Sequence, residues 1–232
     1  MARRPSAPRQ VLILIFLVLM LLLYMQRYQQ HQPPVSKSHR IISPHHGNAP
    51  ADCADLKIDA SASTALGRVS LPPVHACTTR TSHGYPIPDP GCTPGAINPT
   101  LTTDILRDGD FRTSCIRGQD TTQHEKFETY EWYGIEHPSH NTGENQTCEL
   151  DHLVSLELGG ADTLDNIWPQ CGPADTELRE RYFKEKDLVE NYLAHQVKDG
   201  SMDLASAQKG IASDWTQYLE EAREYCRGER CR

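Results

Sequence analysis

Asp151 and His152 stand side by side, with Glu149 two positions before the aspartate and Asn166 fourteen after the histidine. These residue types can hydrolyse a phosphodiester. The reaction needs a base to deprotonate water and a cation to stabilise charge on the phosphate and leaving oxygen. A neutral histidine titrates near physiological pH and suits the base. A carboxylate beside it suits a hard divalent cation. The Asn166 amide can fix the surrounding loop or the histidine tautomer. His137 and His140 also form an HxxH, but in a Pro-, Ser- and Asn-rich stretch that reads as loop, so it lacks the helix a metalloprotease site needs.

These residues need a scaffold, and the stretch CELDHLVSLELGGADTLDNIWPQ at 148–170 suggests one. Glu149–Leu158 alternates and is β-rich, which predicts a strand that bends. Gly159-Gly160 predicts a sharp turn, because glycine accepts positive φ. Ile167-Trp168 predicts a second short strand that Pro169 stops, with a helix soon after. Successive strand residues face opposite sides, so a bulge or a strand end must bring Asp151 and His152 to one site. Cys148 and Cys171 flank the motif, and a disulfide there can staple a finger with a marginal core, although other pairings are equally allowed.

Two helices are predicted to close the chain as an antiparallel hairpin. The first, Asp175–Lys198, places Leu178, Tyr182, Leu188, Tyr192 and Val197 near one face and ends at Gly200. The second starts at Asp203 and spaces Leu204, Ala207, Ile211, Trp215 and Leu219 by three or four, so these apolar and aromatic residues read as core. Upstream, Thr102-Thr103-Asp104 reads as a helix start, and Phe127–Tyr133 is compatible with helix or strand.

The whole chain has 232 residues and a formal net charge of −8. Residues 101–232 hold 14 Lys+Arg against 27 Asp+Glu, a net of −13. That half has no overall pull on nucleic acid, whose non-specific binding is mostly phosphate neutralisation; a bound divalent metal would offset part of this locally. Residues 1–10 carry three arginines, and residues 11–25 follow without a charge. No small-residue cleavage site follows soon after, so the run reads as an uncleaved signal anchor, with a cleaved signal peptide as the alternative. The basic residues before it place the bulk of the chain outside the membrane. Residues 26–50 read as a flexible spacer, 51–91 as a small irregular region held by one disulfide, and 92–232 as the main domain. All eight cysteines lie beyond the apolar run, an even count that reads as disulfides in an exported chain. With no CxxC pair, a structural zinc site is not expected.

The motif resembles the HNH endonucleases, the ββα-metal family. In that family the first strand ends in an acid–histidine pair, a Gly-Gly turn follows, and an asparagine lies about fourteen residues after the histidine. Asp151-His152, Gly159-Gly160 and Asn166 match. The finer pattern, with CTPGA at 92–96 and KDLVENYL and AQKGIASDW near the C-terminus, looks like a group of small exported bacterial proteins carrying an HNH-like motif. The resemblance covers roughly residues 92–216. It implies an α+β fold in which a ββα-metal finger precedes the helical hairpin, His152 as general base, Asp151 as metal ligand and Mg²⁺ as the simplest cofactor. The family's third metal position has no histidine here; Asp175, nine residues after Asn166, and Asp187 further along are the candidates, with Glu149 as an additional acidic group.

Two functions follow as expectations. One is a metal-dependent nuclease, exported or membrane-anchored, acting on DNA or RNA with no nucleotide cofactor. The alternative is a catalytically inactive, disulfide-stapled envelope protein that uses the same scaffold to bind or to build. A defence nuclease masked by a protein partner is a third class, but the sequence names no such partner.

Overall fold

The computed structural model describes residues 51–118, 121–227 and 231, together with Met20. The basic N-terminus, the apolar run and the spacer, and with them the anchor or signal expectation, lie outside the described residues apart from Met20. Among the described residues no helix is long and apolar enough to cross a membrane. From Ala51 onward the described chain lies in one compact unit, Pro44–Arg232, and is mixed α+β as expected.

Among the described residues, three small antiparallel sheets each contain two strands: β1 (Thr64–Ala65) with β4 (Ala96–Ile97), β2 (Arg80–Ser82) with β3 (Tyr85–Ile87), and β5 (Cys148–His152) with β6 (Ile167–Cys171). The helices are α1 (Thr103–Arg107), α2 (Gln123–Trp132), α3 (Tyr182–Asp199), α4 (Leu204–Asp214) and α5 (Leu219–Cys226). Thr102 caps α1 by accepting from the Ile105 N–H, as its sequence suggests. The ambiguous 127–133 stretch is helical as far as Trp132, with Tyr133 as the C-cap, and Thr122 and Glu125 form a reciprocal capping box at the start of α2.

The β5–β6 hairpin runs in unbroken register from Cys148 opposite Cys171 to His152 opposite Ile167. Pro169 does not stop the second strand; it sits inside β6 opposite Leu150. A two-stranded sheet has an unpaired edge on each strand, where a missing N–H costs no ladder bond. The disulfide Cys148–Cys171 closes the open end of this hairpin.

The loop from β5 to β6 is held by Asn166, which is fully buried. Its Oδ1 accepts from the Val154 N–H at 2.9 Å and the Ala96 N–H at 3.2 Å, and its Nδ2 donates to the carbonyls of Val154 (2.9 Å) and Ala161 (2.8 Å). One amide therefore satisfies four backbone groups that burial would otherwise leave unpaired. Gly159 turns in the left-handed region at φ 73°. Gly160 serves a different need: a Cβ there would lie 1.9 Å from the Val154 carbonyl oxygen. Since that oxygen belongs to backbone fixed by Asn166, Gly160→Ala should destabilise the fold by about 3 kcal/mol. Urea denaturation measures this, and a variant as stable as wild type would mean the loop can relax.

Val154 and Leu158 from this loop are buried in a core with Val189, Leu193, Ala194 and Val197 of α3, Ala207 and Ile211 of α4, Trp215, and Leu219 and Ala222 of α5. Burying each such aliphatic side chain contributes roughly 1.5–3 kcal/mol, so the loop is anchored in the helical layer. Gln208 adds a hydrogen bond from Nε2 to the Leu158 carbonyl at 2.8 Å.

The C-terminal helices depart from expectation in two places. The first begins at Tyr182 rather than Asp175. Before it, the Tyr182 N–H donates to the Gly172 carbonyl at 2.8 Å, and the Arg181 guanidinium binds the carbonyls of Glu144, Gln146 and Thr176, which keeps the preceding chain out of helical pairing. Gly200 ends this helix in the left-handed conformation, as expected. The second segment starts at the Asp203 cap but is not continuous to Leu219. Asp214 accepts from the Thr216 N–H and hydroxyl, competing with the helical ladder, and Trp215–Tyr218 tightens to a 3-10 turn before α5.

The remaining disulfides are Cys53–Cys115, Cys77–Cys92 and Cys226–Cys231, and no described cysteine is free. The stretch 51–91 is thus tied to the rest by two disulfides and by the pairing of β1 with β4, rather than held by one bridge of its own.

Candidate functional site

His152 is the last residue of β5, and the strand end, not a bulge, brings it beside Asp151: both line one cavity of about 290 Å³. The imidazole Nε2 lies 2.7 Å from Oδ1 of Asp162, which follows the Gly-Gly turn. Asp162 is buried and also accepts from Lys126 Nζ at 2.5 Å and from the Gly118 N–H. Burial alone would raise the Asp162 carboxyl, but the bonds from His152, Lys126 and Gly118 outweigh it and hold the group far below the usual carboxylate range. His152 moves the other way. Burial lowers its pKa and the charges of Arg117 and Lys126 add to this, against the opposing pull of Asp162. The ring is therefore neutral at pH 7, with one nitrogen held by a carboxylate and Nδ1 left without a partner among the described residues.

A second charged cluster lines the same cavity. Strand alternation puts Glu149, Asp151, Trp168 and Gln170 on one face, and α3 packs there. Lys186 of α3 is completely buried. Its ammonium donates to Asp151 Oδ2 at 2.9 Å, to the His152 carbonyl at 2.8 Å and to Glu190 Oε1. Burial would lower the lysine pKa, but Asp151 and Glu190 raise it above the ordinary value, so it stays charged. Trp168 Nε1 donates to the same Asp151 Oδ2 at 3.3 Å. Asp151 is thus oriented through one oxygen, while Oδ1 has no protein partner among the described residues.

Glu149, Asp187 and Glu190 complete this wall with Asp151, and among the described residues Arg117 is the one cation on the cavity lining. Desolvation first, then the charges of Asp151 and Asp187, push the Glu149 carboxyl up to about 7. Burial, Asp151 and Asp187 push Glu190 to about 8 despite Lys186. Asp187 is also raised by burial, against its ion pair with Lys184 at 2.7 Å. Between the ordinary value of 4.5 and these raised values the folded chain binds protons that the unfolded chain has released. Stability from this source is full below about pH 4.5 and declines as pH rises through about 7 to 8. Glu149→Gln should flatten that decline in chemical denaturation followed from about pH 5 to 8; an unchanged slope would assign the protons to other groups.

The structure brings together four of the residues expected from sequence: Glu149, Asp151, His152 and Asp187. Asn166 is not among the cavity residues; it holds the loop, and the partner that orients His152 is Asp162. Asp175 is exposed in a turn seven residues before α3 and does not line the cavity. Sequence reading missed Asp162, Lys126 and Glu190 as site residues, and Lys186 entered it only as the first residue of the KDLVENYL pattern. A usable signal existed for the last: Lys186 interrupts the buried stripe Phe183, Val189, Leu193 and Val197.

The donor chemistry suits one class of ion. The wall offers carboxylate oxygens and no thiolate, which fits a hard cation. Its ligand atoms do not converge as a closed three-residue cage; among the described residues His75, Asp89 and Cys92 alone do so, and the Cys92 sulfur is spent in its disulfide with Cys77. The acidic wall therefore lacks the closed cage that a structural zinc site requires. No family model, no curated protein and no solved structure matches the chain.

Proposed function

We propose that this protein hydrolyses phosphodiester bonds in nucleic acid with the help of a divalent cation, on an HNH-like ββα unit made of β5, β6 and α3. The observation that carries the reading is a neutral histidine, held by a buried aspartate, on the wall of an acid-lined cavity beside an aspartate with one unpaired oxygen. His152 takes the proton of the attacking water at Nδ1. Asp162 keeps the proton on Nε2 and stabilises the imidazolium that forms. Asp151, with Glu149 and Asp187, would hold the cation, most simply Mg²⁺, which when bound supplies positive charge to the scissile phosphate. Lys186 aims Asp151 and ties it to the His152 backbone, so base and ligand keep one spacing. An acidic wall repels a bare phosphate, and a bound cation answers that repulsion. Four disulfides and the apolar run at 11–25 support a site of action outside the cytoplasm, with the chain anchored in a membrane or, if the run is cleaved, secreted.

A second reading rests on the net of −13 over residues 101–232 and on Lys186, which already neutralises much of Asp151 and Glu190. In it the unit is an inactive, disulfide-stapled scaffold that binds another macromolecule. The test is full-length protein from an oxidising host, incubated with supercoiled plasmid and with RNA across Mg²⁺, Mn²⁺, Ca²⁺ and Zn²⁺, beside His152→Ala. Metal-dependent cleavage, lost in a variant whose thermal melt is unchanged, supports the nuclease. Intact substrate in every metal with folded protein supports the scaffold.

A further inference from the structure

A second, wider cleft of about 630 Å³ is also lined by His152. It shares Arg117, Glu149, Leu150 and His152 with the acid-lined cavity, so the two adjoin at these residues. Its far wall is aromatic. The Phe127 and Tyr130 rings lie 6.3 Å apart at 30°, and the His137 ring meets each edge-on at 4.7 and 4.9 Å. Tyr130 is buried at the base of this group, but Phe127 is 38% exposed. An aromatic on a helix is more often core, and α2 does have a buried side, formed by Lys126, Thr129 and Tyr130; Phe127 is not on it. Gln123, one turn earlier on α2, brings an amide to the same cleft.

We propose that this cleft binds an unpaired nucleobase of the strand whose phosphate lies at His152, stacked on Phe127 with its polar edge toward Gln123. This rests on the nuclease reading and adds the substrate class: single-stranded nucleic acid, or duplex with an extruded base. The charge distribution gives the physical reason. With a net of −13 over residues 101–232, the domain has little electrostatic hold on a phosphate backbone. Stacking on an aromatic face is independent of backbone charge and tolerant of sequence. A base that is paired and stacked inside a duplex presents no open face, so the cleft favours strands whose bases are already exposed.

The experiment uses the full-length chain with His152→Ala, so that nothing is cut, and a fluorescently labelled oligodeoxythymidylate read by anisotropy in Mg²⁺. Adding Phe127→Ala should weaken binding on the order of ten-fold. Phe127→Leu should weaken it similarly, because it keeps apolar bulk without a π-face, and Phe127→Trp should restore it. A blunt duplex of similar length should bind more weakly than the single strand. Affinity equal in Phe127→Ala and its parent overturns the inference, even if wild type cleaves nucleic acid. Phe127-dependent binding by a protein that cleaves nothing upholds the base site and removes the nuclease reading. Absence of both binding and cleavage overturns both. Phe127 is exposed, so the melts of these variants should coincide, and Phe127→Leu decides the matter if the alanine variant does not fold.

Discussion

Lys186→Met should lower stability by about 3–5 kcal/mol, a large part of the margin of a domain this size. Methionine nearly matches the lysine stem in volume, so packing is kept and the change isolates the charge. It leaves Asp151 and Glu190 facing each other without a cation and the His152 carbonyl without its donor. Breaking a buried pair from one side costs far more than removing both partners, so Lys186→Met with Glu190→Gln should recover part of the loss. The penalty of the single variant should also shrink as pH falls, because an unpaired buried carboxyl takes up a proton more readily than a paired one. Chemical denaturation of the three proteins at neutral and mildly acidic pH measures all of this. A single variant as stable as wild type at neutral pH would show that the ammonium does not hold the cluster together.

Asp162→Asn should leave the fold recognisable and, under the proposed nuclease mechanism, remove most cleavage. The asparagine oxygen can still accept from Lys126, His152 or the Gly118 N–H, but the charge that opposes the Lys126 ammonium is gone, at a cost of about 3 kcal/mol. For His152 the change is larger in effect than in geometry. An amide can present N–H to the imidazole and turn it to the wrong tautomer, and it does not stabilise the imidazolium; comparable changes lower turnover by roughly three to four orders of magnitude. Asp162 raises the His152 pKa against burial, so its loss should move the acid limb of the pH–rate profile to lower pH. A merely structural aspartate would not shift that limb. An undiminished rate would place the base elsewhere in the cavity.

Much of this arrangement was legible in the residues. The Gly159-Gly160 turn, the Thr102, Asp203 and Gly200 helix ends and the packing of Ala207, Ile211, Trp215 and Leu219 all follow from rules that act over a few residues, and the structure has them. The Cys148–Cys171 bridge was one pairing among several, and the strand register selects it by placing the two cysteines opposite each other. Local rules failed where a distant group competed for the backbone. The α3 start moved to Tyr182 because Gly172 and Arg181 occupy the groups an earlier turn would need. Pro169 stayed in a strand because its sheet has no third member.

Sequence alone therefore established the chemical inventory near His152 and most local turns and caps, since these depend on backbone conformation and near-neighbour spacing. Folding assigned the partners. Asp162 meets a lysine 36 positions away, and Lys186 meets a carbonyl 34 positions away. Several acids in this chain were equally eligible by spacing, and the choice among them falls to packing: a charge can be buried only where the folded chain delivers its counterion, and that delivery is a property of how α2, α3 and the β5–β6 loop meet.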